Sequence, residues 1–200
     1  MGASQTIAAT PDIFCDLPAL MTPRLCLRKL TIADVNDVFA YASDPLVARY
    51  TLWQTHRSRA DSERFIEAEL TKYENLQPAS WGLVYQQTGK VIGTCGFGTW
   101  HIAHARIEVG YALGRAYWGQ GLMPEALQAV INFCFSRLPL NRIEALCLLE
   151  NHASARVMEK VGMRYEGTLR QALCCQGRYC DLNLYAILQA DWKQARYGRD

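Results

Sequence analysis

The sequence predicts a single α/β domain built on one sheet of mixed strand direction, with helices on both faces. The chain has 200 residues, half of them apolar, which is enough for one substantial core. Stretches with the two-residue period of strands alternate with stretches of helical period. In chain order the expected elements run β-α-α-β-β-β-α-β-α-β-β, a succession that combines hairpins with crossover connections.

The chain is expected to consist of an N-terminal extension over residues 1–21 and one domain over residues 22–195. The extension has no sustained hydrophobic period and contains Pro11 and Pro18. The domain opens at residues 24–30, where apolar and polar side chains alternate as in a half-buried strand.

Two helices are expected next. Thr31 begins a variant of the capping box that opens the first helix, which ends before Pro45 because proline disfavours helical continuation. Either Ser58 or Asp61 caps the second helix, whose apolar residues repeat at helical spacing as far as about Leu76.

Three strands follow in the middle of the chain. Residues 81–86 and 91–100 are rich in β-forming side chains, and Gly89 between them suits a hairpin turn. Residues 104–113 place their apolar side chains on one face of a strand and Glu108 on the opposite face.

The last third is expected to alternate between helices and strands. From Pro124 to Leu138 the apolar residues follow the helical period more clearly than anywhere else in the chain. A hydrophobic strand at residues 142–149 precedes a short helix over 151–160, which Gly162 ends by taking the left-handed conformation. A final hairpin is expected from strands at residues 165–175 and 179–188.

Composition excludes several classes of protein. A net charge of +2 and a pI near 8.1 provide no basic face for nucleic acid or an anionic membrane. The sequence lacks an apolar run long enough to span a bilayer and lacks the order of a signal peptide. The eight cysteines include no CxxC pair, which favours a reduced, soluble, cytoplasmic protein. Cys174, Cys175 and Cys180 cluster, but without a second ligand pair we expect buried thiols and no metal.

A glycine-spaced turn precedes the clearest helix. Gly119 and Gly121 allow the backbone to approach a diphosphate closely, and the helix N-terminus adds partial positive charge. Pro124 fits the first helical turn because its missing N–H would have no helical partner. A tight turn without any ligand is the alternative for this pattern taken alone.

The surrounding residues resemble the GNAT acetyltransferase superfamily, and within it the RimJ/RimL-like branch. Trp118 stands where the superfamily's acetyl-CoA loop has Gln or Arg, as is typical of that branch. Further similarity extends in family order from about Thr22 to Trp192, at residues 22–28, 92–93, 108–111, 141–145, 150–154, 159–163 and 166–170. The chain is therefore identified as a member of this superfamily.

The resemblance implies a GNAT-type sheet whose middle strands splay apart to hold acetyl-CoA. Backbone groups on the strand before the loop would bind the pantetheine arm, at Tyr111, Ala112 and Leu113. The loop would bind the pyrophosphate chiefly through backbone N–H groups, over Trp118, Gly119, Gln120, Gly121, Leu122 and Met123. Asn151 lies where the family places a group near the cofactor arm, although it also suits a helix cap.

The resemblance also implies direct acetyl transfer to a primary amine. Glu108 is the first candidate for the base that deprotonates the amine, with Glu150 as the alternative. A structural partnership of Glu108 with an arginine such as Arg106 is the competing interpretation. Ser154 is the candidate acid for the leaving thiolate, although its hydroxyl also suits a helix cap.

The acceptor is expected to be a protein or peptide N-terminus, as in the branch that the chain resembles. A small amine such as a polyamine, amino sugar or amino-acid analogue is the alternative, and a non-catalytic acyl-CoA-binding module is another. A dehydrogenase-like protein is disfavoured because the glycines do not form G-x-G-x-x-G. The candidate residues for acceptor contact are Trp53 and Trp100, whereas His101, His104 and Asp181 receive no catalytic role. The oligomeric state stays open, with a homodimer as one possibility.

Overall fold

A computed structural model describes residues 17–175 and 177–198, apart from the side chain of Tyr197. These residues form one sheet of eight strands: β1 (Leu20–Met21), β2 (Leu25–Arg28), β3 (Ser80–Tyr85), β4 (Lys90–His101), β5 (Arg106–Leu113), β6 (Arg142–Leu148), β7 (Arg164–Cys175) and β8 (Arg178–Leu188). The spatial order is β1-β2-β3-β4-β5-β6-β8-β7, and β5 and β6 are parallel while every other neighbouring pair is antiparallel. The predicted mixed sheet is confirmed.

The helices are α1 (Val35–Ala42), α2 (Pro45–Ala48), α3 (Arg59–Glu74), α4 (Leu122–Arg137), α5 (His152–Lys160) and α6 (Gln189–Tyr197). A capping box at Thr31 and Asp34 opens a 3-10 turn that leads into α1, and a second box at Ser58 and Asp61 opens α3. Gly162 follows α5 with a φ of 83°, as expected of a helix-ending glycine. Within the described part of the chain, no helix is long and apolar enough to cross a membrane.

Three short elements were not expected from the sequence. β1 has only two residues, too few to show a period, and it pairs with β2. Pro45, predicted to end the first helix, also starts α2, where the Asp44 carboxylate accepts a hydrogen bond from Leu46 N at 2.9 Å. α6 follows β8 directly. Of the predicted extension, residues 1–16 lie outside the described part, and Leu17 is buried in the core.

Two clusters of buried side chains lie on opposite faces of the sheet. Val91 belongs to the cluster around α1 and α3, whereas its neighbour Ile92 belongs to the cluster around α4. Because consecutive residues of a strand point to opposite faces, these clusters are two layers separated by the sheet. The predicted helices on both faces are therefore confirmed.

The centre of the sheet is split. β5 pairs with β6 only at its first three residues, ending where Glu108 lies opposite Glu144. Beyond Glu108, β5 continues to Leu113 with its other edge still paired to β4. The two strands diverge after a short parallel ladder, which confirms the splayed middle strands.

Candidate active site

The divergence of β5 and β6 opens a cleft of about 700 Å³ that is lined from both helical layers. Most predicted site residues line it: Trp53, Glu108, Tyr111, Ala112, Leu113, Trp118, Gly119, Gly121, Leu122, Met123, Asn151 and Ser154. Gln120 and Trp100 are not among the lining residues. One cavity thus collects predicted site residues from four separate segments of the chain: the loop at Trp53, β5, the glycine loop and the start of α5.

Glu108 lies at the point where the strands separate. Its side chain covers Gly98 on β4, where an added Cβ would lie 3.4 Å from Glu108 Cδ. Burial raises the pKa of Glu108, and the neighbouring Glu144 carboxylate raises it further. A raised pKa makes a carboxylate a stronger base, which suits proton abstraction from an amine.

The arginines near Glu108 contact Glu144 instead. Arg142 Nε lies 2.9 Å and Arg106 Nη1 3.4 Å from carboxylate oxygens of Glu144. Among the described residues, no cation forms an ion pair with Glu108. Glu150 is exposed and does not line the cleft, so Glu108 provides the one carboxylate among the described residues that do.

Asn151, Ser154 and Tyr111 form a hydrogen-bonded group on the α5 side of the cleft. The Asn151 side chain caps α5 by accepting a hydrogen bond from Ser154 N at 3.1 Å. The Ser154 and Tyr111 hydroxyl oxygens are 2.8 Å apart. Burial raises the pKa of Tyr111, although its hydrogen bond with Ser154 opposes the shift. The sequence identified the cap but not the partnership of the two hydroxyl groups, which are 43 residues apart.

The predicted pyrophosphate loop has the geometry of an anion site. Gly119 and Gly121 have φ values of 74° and 75°, which side chains with a Cβ rarely adopt. α4 begins at Leu122, and its first hydrogen bond runs from Glu125 N to Gly121 O at 3.2 Å. The N–H groups of Leu122 and Met123 therefore precede any helical acceptor and remain available to a ligand.

Two side chains of the loop have structural partners. The Trp118 indole N–H donates to Leu113 O at 2.7 Å, so this β5 carbonyl is already engaged. Gln120 Nε2 donates to Ala116 O at 2.9 Å, which keeps its exposed side chain at the outer surface of the loop. Of these two residues, Trp118 lines the cleft and Gln120 does not.

Arg24 and Glu125 anchor the loop, and neither was assigned a role from the sequence. Arg24 Nη1 donates to Gln120 O at 2.8 Å, while its Nε donates to Glu125 at 2.7 Å. Glu125 also accepts hydrogen bonds from the Thr22 hydroxyl and from Arg24 N. Although burial alone would raise the pKa of Glu125, these hydrogen bonds hold it below its usual value. No local pattern links residues 101 positions apart, so the sequence contained no signal for this pair.

The remaining candidates are divided between the cleft and the rest of the fold. Trp53 lines the cleft, whereas Trp100 is half-buried and packs against the core. His101 and His104 do not line the cleft either. Asp181 accepts a hydrogen bond from Gln171 N at 2.8 Å, which is a structural contact.

The three clustered cysteines lie on the hairpin of β7 and β8, away from the cleft lining. The expectation that they are buried is wrong, because Cys174 is exposed and Cys175 and Cys180 are half-buried. Within residues 17–175 and 177–198, no group of three or more histidine, cysteine or acidic side chains is arranged to hold a metal ion.

Comparisons with known proteins agree with this geometry. Residues 24–164 match the family model of the acetyltransferase (GNAT) domain. The chain is 34% identical to the uncharacterized N-acetyltransferase YoaA of Bacillus subtilis (strain 168), over 86% of this chain and 97% of that protein. It is also 34% identical to the ribosomal-protein-serine acetyltransferase of Escherichia coli (strain K12), over 48% of this chain and 54% of that protein.

A solved structure of a ribosomal L7/L12 alpha-N-protein acetyltransferase, RimL, in complex with coenzyme A has the same fold. It superposes with a TM-score of 0.76 at 21% identity, covering 86% of this chain and 98% of that chain. The family match spans more than half of the sequence and includes the split strands, the glycine loop and α5. The chain therefore belongs to the GNAT family and is an N-acetyltransferase.

Proposed function

We propose that this enzyme transfers the acetyl group of acetyl-CoA directly to the α-amino group of a protein or peptide N-terminus. The observation that carries the proposal is the half-buried Glu108 carboxylate, whose pKa is raised and which lies where the two strands part. Two relatives are named as acetyltransferases of ribosomal proteins, which supports a protein acceptor.

The cleft suits coenzyme A in three respects. The loop at Gly119 and Gly121 offers backbone N–H groups to a diphosphate. The edge of β5 beyond Glu108 is unpaired with β6, which leaves room for an amide-containing pantetheine arm. Arg156 and Lys160 of α5 line the cleft and provide positive charge for phosphates.

In the proposed reaction a neutral amine attacks the thioester carbonyl, the N–C bond forms and the C–S bond breaks. Glu108 accepts the proton lost by the amine, directly or through one water molecule. The sulfur leaves as a thiolate, and the Ser154 hydroxyl donates a hydrogen bond or a proton to it. Because a thiol has a pKa of about 8.5, the thiolate needs little assistance, and Glu108 is the more important of the two residues.

An α-amine fits this arrangement better than a lysine side chain. Its pKa of about 8 leaves a useful neutral fraction near pH 7, whereas a lysine at about 10.4 demands a stronger base. The cleft also reaches both helical layers and has one carboxylate among its described lining residues, unlike a closed acidic pocket for a polycation.

The decisive experiment measures acetyl-CoA consumption by the wild-type chain and by Glu108→Gln with peptides, polyamines and amino sugars as acceptors. Acetylation of a peptide N-terminus, abolished or strongly reduced in Glu108→Gln, supports the proposal. Turnover of polyamines or amino sugars in preference to every peptide would reassign the acceptor. An unimpaired Glu108→Gln would remove this residue as the base.

A further inference from the structure

We infer that the acceptor half of the cleft selects a primary amine attached to a large, neutral, apolar group, such as an aromatic or branched aliphatic side chain. This inference rests on the proposed acetyl transfer and specifies its acceptor. The acceptor half is the part of the cleft on the α1–α3 face of the sheet, around Glu108.

The floor of the acceptor half lacks side chains next to the base. In the antiparallel pairing of β4 and β5, Gly96 lies opposite Gly110, so both belong to the same face. Alternation along β5 places Glu108 on that face as well. Ser80 of β3 covers Gly96, where an added Cβ would lie 2.3 Å from Ser80 Cα, so the open part of the floor is at Gly110. A Cβ added to Gly110 would meet nothing within 4 Å, so open space lies directly beside the carboxylate.

The walls of the acceptor half are mostly apolar, and the remaining side chains that line them are polar but uncharged: Tyr50, Thr51, Ser80 and Thr94. α2 contributes Leu46 and Val47, α3 contributes Phe65, and the loop between these helices contributes Leu52 and Trp53. Leu46 and Leu52 are 46% and 79% exposed, so much apolar surface stays in contact with water until a ligand covers it. Covering such surface provides binding energy for an apolar group.

The aromatic wall is held in place from behind. The buried His56 ring lies 5.4 Å from the Trp53 ring and 6.1 Å from the Phe65 ring. His56 Nδ1 is 2.8 Å from the Ser62 hydroxyl, and His56 N donates to Ala42 O. Because they pack on this fixed imidazole, the rings of Trp53 and Phe65 present a rigid surface to the cleft, which limits the conformational entropy lost when a ligand binds.

The acceptor half has too few carboxylates among its described lining residues to bind a polycation. The charged residues that line the described cleft are Glu108, Arg156 and Lys160. The two cations belong to α5, on the opposite face of the sheet from the acceptor half. A polyamine would place its second ammonium among Leu46, Val47 and Trp53, where no carboxylate lines the wall to compensate the lost hydration.

The test compares initial rates for peptides that differ only in the first residue, with Phe, Leu, Ser or Ala there and no lysine. Transfer of a phenyl or isobutyl group from water predicts a kcat/KM for Phe and Leu about 10–100-fold above that for Ser. Phenylalanine amide, serine amide and spermidine form a second set. The inference would be overturned if the serine compounds or spermidine were acetylated as fast as or faster than the phenylalanine compounds, or if no apolar amine were acetylated.

The two sets separate this inference from the proposed function. A preference for phenylalanine amide over serine amide, with no acetylation of any peptide, would support the apolar site and refute the peptide N-terminus. Acetylation of every peptide at one rate would support the N-terminus and refute the apolar site.

Variants of the cleft test whether the lining of the acceptor half causes the preference for apolar amines. Trp53→Ala is expected to reduce the Phe-to-Ser ratio about tenfold, whereas Tyr179→Ala, an exposed aromatic outside the cleft, leaves the ratio unchanged. Gly110→Val is a second probe, because its Cβ enters open space and valine is well tolerated in strands. It should impair the Phe peptide more than the Ala peptide, and an unchanged ratio in both cleft variants would refute the inference.

Discussion

Replacing Gly121 with valine is expected to weaken the binding of coenzyme A by at least about fivefold. Gly121 has a φ of 75° and a ψ of 8° at the N-cap of α4. An L-residue costs about 1–2 kcal/mol in this left-handed conformation, and a β-branched residue is among the least tolerated. If the loop relaxes to relieve that strain, binding must restore the left-handed geometry, and the strain is subtracted from the binding free energy.

The magnitude follows from the contacts around Gly121. Its added Cβ would lie 3.6 Å from Arg24 Nη2, an ordinary contact, so backbone strain rather than a clash dominates. A penalty of about 1–2 kcal/mol corresponds to a 5–30-fold increase in Kd. Gln120→Ala is the matched control, because that side chain bonds Ala116 O and does not line the cleft.

Isothermal titration calorimetry at fixed ionic strength measures the Kd for coenzyme A of the wild type and of each variant. Circular dichroism confirms that each variant is folded. We expect Gln120→Ala to change Kd by less than about twofold, since a solvated hydrogen bond contributes little. Equal increases in Kd for the two variants would refute binding through the loop backbone.

Three further predictions concern the reaction and the anchor of the loop. In the wild type, kcat/KM should fall as the pH drops through the raised pKa of Glu108, because only the carboxylate form accepts a proton. Glu108→Gln should lower kcat/KM about 100–10,000-fold and remove this acidic limb of the pH profile. A limb that survives in rate–pH profiles of the variant would contradict the assignment. Tyr111→Phe should lower kcat about 5–10-fold while the KM for acetyl-CoA stays within twofold, because it removes only the hydroxyl that orients Ser154, and a rise in KM alone would oppose that role. Glu125→Gln should lower the free energy of unfolding by about 1–3 kcal/mol at pH 7. The pKa of Glu125 is lowered in the folded state, so its contribution exists above the unfolded pKa and fades as the pH falls. Urea titrations at pH 7 and pH 3 that give the same difference would contradict it.

Local pattern was sufficient for most of the fold. The capping boxes at Thr31 and Ser58 and the terminal Gly162 were visible because each depends on residues a few positions apart. β1 and α2 were missed because two and four residues are too few to establish a period. Among the described side chains of α6, only that of Trp192 lies in the buried core, so the apolar pattern of this helix is weak.

The candidate site was less predictable than the fold, because only some of its residues have a local signature. Gly119, Gly121 and Asn151 could be selected because glycine turns and helix caps have local signatures. Trp53 and Trp100 were indistinguishable in the sequence, since an aromatic residue suits both a core and a pocket wall. Only the packing of α2 and α3 places Trp53 in the cleft and Trp100 against the core.

By itself the sequence determined most of the elements, the mixed sheet, the glycine turn before α4 and the family, because these follow from short-range periodicity, backbone preferences and motif order. The tertiary structure alone decided which distant groups meet. It placed Glu144 beside Glu108, Tyr111 against Ser154, and Arg24 under the glycine loop. Burial and charge–charge distance set the proton affinity of Glu108, and both depend on three-dimensional separation, which the order of residues in a chain does not record.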